Sequence, residues 1–120
     1  MSTVKNRTPF HRAEPILSVA DMSASVAYYV DVLGFVNAPW GDDAFTHVTR
    51  DDAGIYLCRG GQGHPGTWIW IGVADVEVLR DEIRATGAKI RGEIVNHPWA
   101  RELEVADPDG HVIRFGSEPV

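Results

Sequence analysis

The side chains through which this 120-residue chain could do chemistry are four tryptophans, five histidines, one cysteine and a pair of alternate glutamates. The histidines are His11, His47, His64, His97 and His111. None stands in a His-x-His or i,i+4 spacing, so no local pattern assembles a metal site. His47 falls in a strand candidate and could act as an acid or base near neutral pH. The others read as surface or turn histidines: His11 in the N-terminal arm, His64 in a glycine-rich loop, His97 before Pro98 and His111 in the last turn. Glu102 and Glu104 alternate along one strand, which puts both carboxyls on one face. One could then be a raised-pKa acid beside its ionised neighbour, or Arg114 could bridge to either. Cys58 is single and lies in a strand, where a lone thiol behaves as a small hydrophobe. No Gly-x-Ser-x-Gly elbow occurs. The loop at residues 60–66 has four glycines, but no Lys-Ser/Thr follows and the next element is a strand, so it is not a phosphate cradle. Trp68-Ile69-Trp70 projects two indoles from one strand face. With Trp40 and Trp99 they offer flat surface that stacks on heteroaromatic rings and attracts cations.

The elements that must position these groups come in two similar runs. Residues 1–13 are polar and aperiodic and read as a flexible N-terminal arm. A strand is expected at 14–20, then Asp21 as a helix N-cap. A helix is expected over 22–33, with Val26, Tyr29, Val30 and Leu33 on one stripe and Gly34 ending it. Strands follow at 35–38, 45–50 and 54–59. After the loop the order repeats: a strand at 67–73, Asp75 capping a helix with Val76, Leu79 and Ile83 on its stripe, a stop at Gly87, then strands at 89–95, 101–106 and 111–116. Val19-Ala20-Asp21 and Val73-Ala74-Asp75 are the same tripeptide at corresponding junctions. The pattern is a duplicated β-α-β-β-β unit. It predicts an α+β fold, one domain at 14–120, with modules at about 14–60 and 67–116 forming a curved mixed sheet around a cleft.

Parity along each strand sorts the faces. Leu17, Val19, Ile55, Leu57, Ile69, Ile71, Leu103, Val105, Ile113 and Phe115 suit the helix-covered side. Trp68, Trp70, Tyr56, Glu14, Glu102, Glu104 and Arg114 fall opposite, while the strand at 45–50 leaves either face open for His47. Large aromatics mixed with a few charges fit a concave small-molecule site, and fit a subunit interface as well.

Charge narrows the partners. The net charge is −6 with an isoelectric point near 5.2. Lysines and arginines are scattered singly, which excludes a nucleic-acid stripe and disfavours an anionic membrane. A neutral or cationic small molecule suits the sign. The longest uncharged run, residues 60–74, is broken by His64-Pro65-Gly66 and is too short to span a bilayer. No apolar stretch follows the charged start, so no secretory signal is expected, and the chain reads as cytoplasmic.

Leu17-Ser18-Val19-Ala20-Asp21, Ser25-Val26-Ala27-Tyr28-Tyr29 with Val32-Leu33-Gly34-Phe35, and Asp107-Pro108-Asp109-Gly110-His111-Val112-Ile113-Arg114-Phe115 together resemble the vicinal oxygen chelate superfamily. That family includes glyoxalase I, bleomycin-resistance proteins and extradiol dioxygenases. The resemblance covers residues 14–116. It implies that metal-dependent members would carry one ligand on each of four strands, at positions that fall here on Glu14, Tyr56 or Cys58, Trp68 and Arg114. Glu14 could bind metal, but tryptophan has no lone pair to offer and arginine repels a cation. The expectation is therefore no metal and no cofactor. The resemblance then implies a homodimer that binds a planar or cationic small molecule, such as a bleomycin-type antibiotic, on Trp68, Trp70, Tyr56, Arg114, Glu104, Trp40 and Trp99. The alternatives are a metal-dependent lyase, isomerase or dioxygenase with non-standard ligands, and a metal-free isomerase or epimerase using Glu14, His47 or Glu102.

Overall fold

In a computed structural model, which describes residues 6–120, the two runs fold as two sheets that share one core. Residues 1–5 of the expected arm lie outside the described residues, and residues 6–15 carry no regular secondary structure. The first module comprises β1 (Ile16–Ser18), α1 (Met22–Ala27), β2 (Val36–Asn37), β3 (Phe45–Arg50) and β4 (Ala53–Cys58). The second comprises β5 (Trp68–Gly72), α2 (Val76–Ala85), β6 (Lys89–Ile90), β7 (Val95–Asn96), β8 (Arg101–Ala106) and β9 (Val112–Ser117). The sheets run β1-β4-β3-β2 and β5-β9-β8-β6, with β7 also on β8. In each, the first strand lies parallel to the last and the other pairs are antiparallel. That matching order is the duplication read from the caps and stops.

The caps behave as their chemistry requires. Asp21 Oδ1 accepts from Ala24 N at 3.1 Å, and Asp75 Oδ1 from Glu77 N and Val78 N. Two expected elements differ. The helix at 22–33 is α-helical only to Ala27; Tyr28–Val32 forms a π-helical turn, closed by Leu33 N donating to Tyr28 O at 3.1 Å. The wider turn lets two consecutive tyrosines both reach the second module. Tyr28 Oη donates to Ala106 O at 2.7 Å and Tyr29 Oη to Asp107 Oδ2 at 2.8 Å. The strand at 89–95 is split into β6 and β7, because Gly92 turns with φ of +77° between them.

The core draws on both modules. Leu17, Val48, Ile55 and Leu57 meet Leu79, Ile83, Leu103 and Ile113, all buried. Fully burying a side chain of this size stabilises by about 1.5–3 kcal/mol. His111 belongs to this seam and is not a surface histidine. It is fully buried, takes a hydrogen bond from Thr67 N at 2.9 Å on Nδ1 and donates from Nε2 to Ser18 O at 2.6 Å. It thereby ties β1 to the start of β5. No helix among the described residues is long and apolar enough to cross a membrane.

Candidate functional site

Because both modules spend one sheet face on the shared core, each leaves its opposite face open. On the first sheet, pairing sets His47 against Tyr56 and Tyr56 against Ile16. Strand β3 resolves with Val48 in the core and His47 on the open face. His47 Nε2 and Glu14 Oε2 are in direct contact, and Arg12 Nε donates to Glu14 Oε1 at 2.8 Å. The hydrogen bond from Arg12, followed by that from His47, holds the Glu14 carboxyl below the ordinary glutamate range. Gly54 makes room for the pair: a Cβ there would collide with the Glu14 carboxylate and sit 2.9 Å from His47 Nε2. The rings continue as a ladder. His47 stacks on Tyr56 at 4.2 Å, Tyr56 on Phe45 at 5.3 Å, and Phe45 on Trp40 at 6.3 Å between centroids.

On the second sheet Glu102 is the hub. Its side chain is only 4% exposed, although parity places it on the open face. Trp70 Nε1 donates to its Oε2 at 2.7 Å, Arg114 donates to Oε1 from Nε at 3.2 Å and from Nη2, and His97 Nε2 lies 3.5 Å away. Burial alone would raise the Glu102 pKa; the hydrogen bonds from Arg114 and Trp70 outweigh it, and the pKa is lowered. Glu102 is thus not the raised-pKa acid that the Glu102/Glu104 spacing offered. The two carboxyls have separate partners, since Glu104 pairs with Arg91 at 3.3 Å. The Arg91 guanidinium also covers Trp68 at 5.2 Å from its ring, and His97 stacks on Trp99 at 4.5 Å and 5°. Trp68, Trp70 and Trp99 remain 53%, 54% and 65% exposed.

Trp70 lies where Gly72 and Gly116 pair across β5 and β9. A Cβ on Gly116 would collide with the indole and lie 3.0 Å from its Nε1. Gly116, Gly54, Arg12, Arg91, Phe45 and His97 are the site residues that sequence reasoning missed. No sequence signal marked the glycines, because Gly54 is registered opposite Thr49 and Gly116 opposite Gly72 and Glu102, while the side chains they admit are Glu14, His47 and Trp70. His97 had only its place two residues before Trp99.

The candidates do not all come together within one chain. Glu14, His47, Tyr56 and Trp40 belong to the first face; Trp68, Trp70, Trp99, Glu102, Glu104 and Arg114 to the second. Among the described residues no hydrogen bond, ion pair or ring contact joins the two sets. The mixed sheet of the expected fold is built as one four-stranded and one five-stranded sheet, each with its own open face.

A divalent metal does not fit these donors. Arg114 is committed to Glu102 and Trp68 lies under Arg91, so two of the four inherited positions present a cation and an indole. Cys58 Sγ points to Gly60 O at 3.0 Å. Among the described residues no three His, Cys, Asp or Glu side chains converge as a metal cluster.

Comparison with known proteins places the fold. A family model described as the Glyoxalase/Bleomycin resistance protein/Dioxygenase superfamily matches residues 10–115. No curated protein matches the sequence significantly. The bleomycin-binding protein from bleomycin-producing Streptomyces verticillus, solved with copper(II)-bleomycin, is similar at a TM-score of 0.79 and 29% identity, over 92% of this chain and 98% of that one. TnmS3, an antibiotic binding protein from Streptomyces sp. CB03234, gives 0.77 and 21% over 96% and 100%. Virulence protein STM3117 from Salmonella typhimurium gives 0.74 and 18% over 93% and 99%. The last two likenesses speak for fold alone. With a family match across nearly its whole length and two βαβββ modules of matching topology, the chain belongs to the Glyoxalase/Bleomycin resistance protein/Dioxygenase superfamily.

Proposed function

We propose that this protein binds a planar, cationic small molecule of the bleomycin type and releases it chemically unchanged, without a metal of its own. The observation that carries this reading is the second face: three indoles are half or more exposed, yet Trp70 and Trp99 are held in place around the buried Glu102 and Trp68 is covered by Arg91. Exposed aromatics that are already ordered lose little freedom when they stack on a ligand. A Trp and an Arg at inherited ligand positions speak against metal chemistry. The similar structure that holds copper(II)-bleomycin supports the ligand class.

Two separate open faces also support a homodimer. β1 and β5 are the end strands of their sheets, and a second copy could set its first-module face opposite this chain's second. Trp68, Trp70, Trp99 and Arg114 would then stack and orient the ligand from one side, with Trp40 and Tyr56 from the other. Titrating the protein with bleomycin and other planar cationic drugs while following tryptophan fluorescence tests the reading. Saturable quenching that weakens in Trp70→Phe supports it; silence across the panel defeats it.

One observation favours a second reading. The contact of Glu14 with His47 gives the histidine the orienting partner that a general base needs. A metal-free isomerase or epimerase would use that pair, and loss of turnover in both His47→Gln and Glu14→Gln would identify it.

A further inference from the structure

Arg91 stands outside the strands, just after β6 and before Gly92, whose positive φ turns the chain toward β7. Strand β6 lies at one end of its sheet and β5 at the other. The Arg91 guanidinium nevertheless reaches the ring of Trp68, the first residue of β5. The side chain therefore crosses the open face from edge to edge, and it pairs with Glu104 as well. The neighbouring pair is built differently. Glu102 is buried and receives Arg114 and Trp70 through three hydrogen bonds, whereas the Arg91 and Glu104 side chains are both partly exposed. A guanidinium over an exposed ring and an exposed ion pair are each weak contacts. The backbone of Arg91 is held independently, its N–H donating to Glu104 O at 2.8 Å. Its side chain can thus leave the face without opening the sheet.

We infer that Arg91 is a built-in stand-in for the ligand's cation. It fills a subsite made by the Trp68 ring face and the Glu104 carboxylate, and it leaves when a ligand bearing a flat guanidinium or amidinium group takes its place. The inference rests on the proposed binding of a planar cation at this face and names the group that is recognised there. In the free protein Arg91 keeps the indole placed and the carboxylate paired. Because the ligand must displace it, apparent affinity is reduced by the fraction of molecules in which the subsite is open. A compact, strongly hydrated ammonium gains Glu104 but stacks poorly, since the planar guanidinium is the cation that lies flat on an aromatic face. A neutral flat ring gains Trp68 and leaves the carboxylate unused.

Titration of the full chain with phenylguanidinium and its neutral isostere phenylurea, followed by NMR of the tryptophan indole N–H signals, tests the assignment; Trp68→Phe identifies the Trp68 signal. In Arg91→Ala, phenylguanidinium shifts that signal and binds about fivefold tighter than in the parent, the worth of the two contacts that no longer compete. It also binds that variant about fivefold tighter than phenylurea does. Adding Glu104→Gln to Arg91→Ala removes the preference for the cation. Arg84→Ala, at an exposed position on α2, makes the same change in net charge and leaves the affinity at the parent's value, which separates displacement from bulk charge. Binding no tighter in Arg91→Ala than in the parent, an equal gain in Arg84→Ala, or a Trp68 signal that never moves overturns the inference while leaving the rest of the aromatic face a binding site. Indole signals that stay still with both phenylguanidinium and bleomycin, in every one of these proteins, defeat the proposed function as well.

Discussion

Replacing Glu102 with Gln keeps the size of the side chain and removes its charge. In the native site that carboxylate receives Trp70 Nε1, Arg114 Nε and Arg114 Nη2 while only 4% exposed. The amide can still accept from Trp70 through its oxygen, but its NH₂ group then confronts the Arg114 donors. A hydrogen bond to a charged group contributes about 1.5–3 kcal/mol. Arg114 is 35% exposed and recovers water when released, so the loss falls toward the low end. The expected destabilisation is about 1–2 kcal/mol, or a melting point lower by about 4–8 °C in a domain of this size. Urea denaturation read by far-ultraviolet circular dichroism measures it directly. Combining Glu102→Gln with Arg114→Met completes a cycle, in which the pair should couple by about 1 kcal/mol. A change below about 0.5 kcal/mol, the size of an ordinary surface substitution, would refute the idea that Glu102 organises this face.

Three other perturbations report on separate parts of the account. Gly116→Ala should expel the Trp70 indole, altering near-ultraviolet circular dichroism and weakening bleomycin binding by about tenfold; an unchanged spectrum would contradict the seating of that ring. His111→Ala removes a fully buried ring and leaves the half-buried Thr67 N–H and Ser18 C=O without this partner, and should lower stability by about 1–3 kcal/mol in urea titrations; a neutral outcome would remove His111 from the seam. Glu14 and Glu102 have lowered pKa values in the folded chain, so their contribution is complete above about pH 4.3, the ordinary glutamate value, and is lost as pH falls through the folded values. Burial raises Asp107, which acts with the opposite sign, favouring folding most when protonated. The Glu14→Gln/Glu102→Gln double variant should therefore show a shallower loss of stability below about pH 4.3 than the parent, in denaturation curves taken across pH; equal slopes would count against both hubs.

What could be read in the residues was whatever local chemistry decides. Asp21 and Asp75 cap helices because a carboxylate accepts backbone N–H groups wherever a helix starts, and Trp68, Ile69 and Trp70 sort to faces because a strand alternates. The π-turn was not legible, since Val26, Tyr29, Val30 and Leu33 fit an ordinary helical stripe. Only the distant Ala106 and Asp107 show why Tyr28 must turn inward too. Parity set Glu102 on the open face but could not show that Trp70 and Arg114 close over it. His111 looked like a turn residue because its partners, Ser18 and Thr67, are 93 and 44 positions away. The same limit applied to the cleft: the strand pattern sorts each sheet's faces, but says nothing of how two sheets share one core.

The most direct test of metal-free binding is calorimetric titration of bleomycin into chelator-stripped protein, with mass spectrometry of the recovered ligand. Saturable binding equal to that of untreated protein, with the ligand's mass unchanged, is the result expected here. Heat that vanishes on chelation and returns with added zinc or nickel, or a ligand recovered chemically altered, would contradict it.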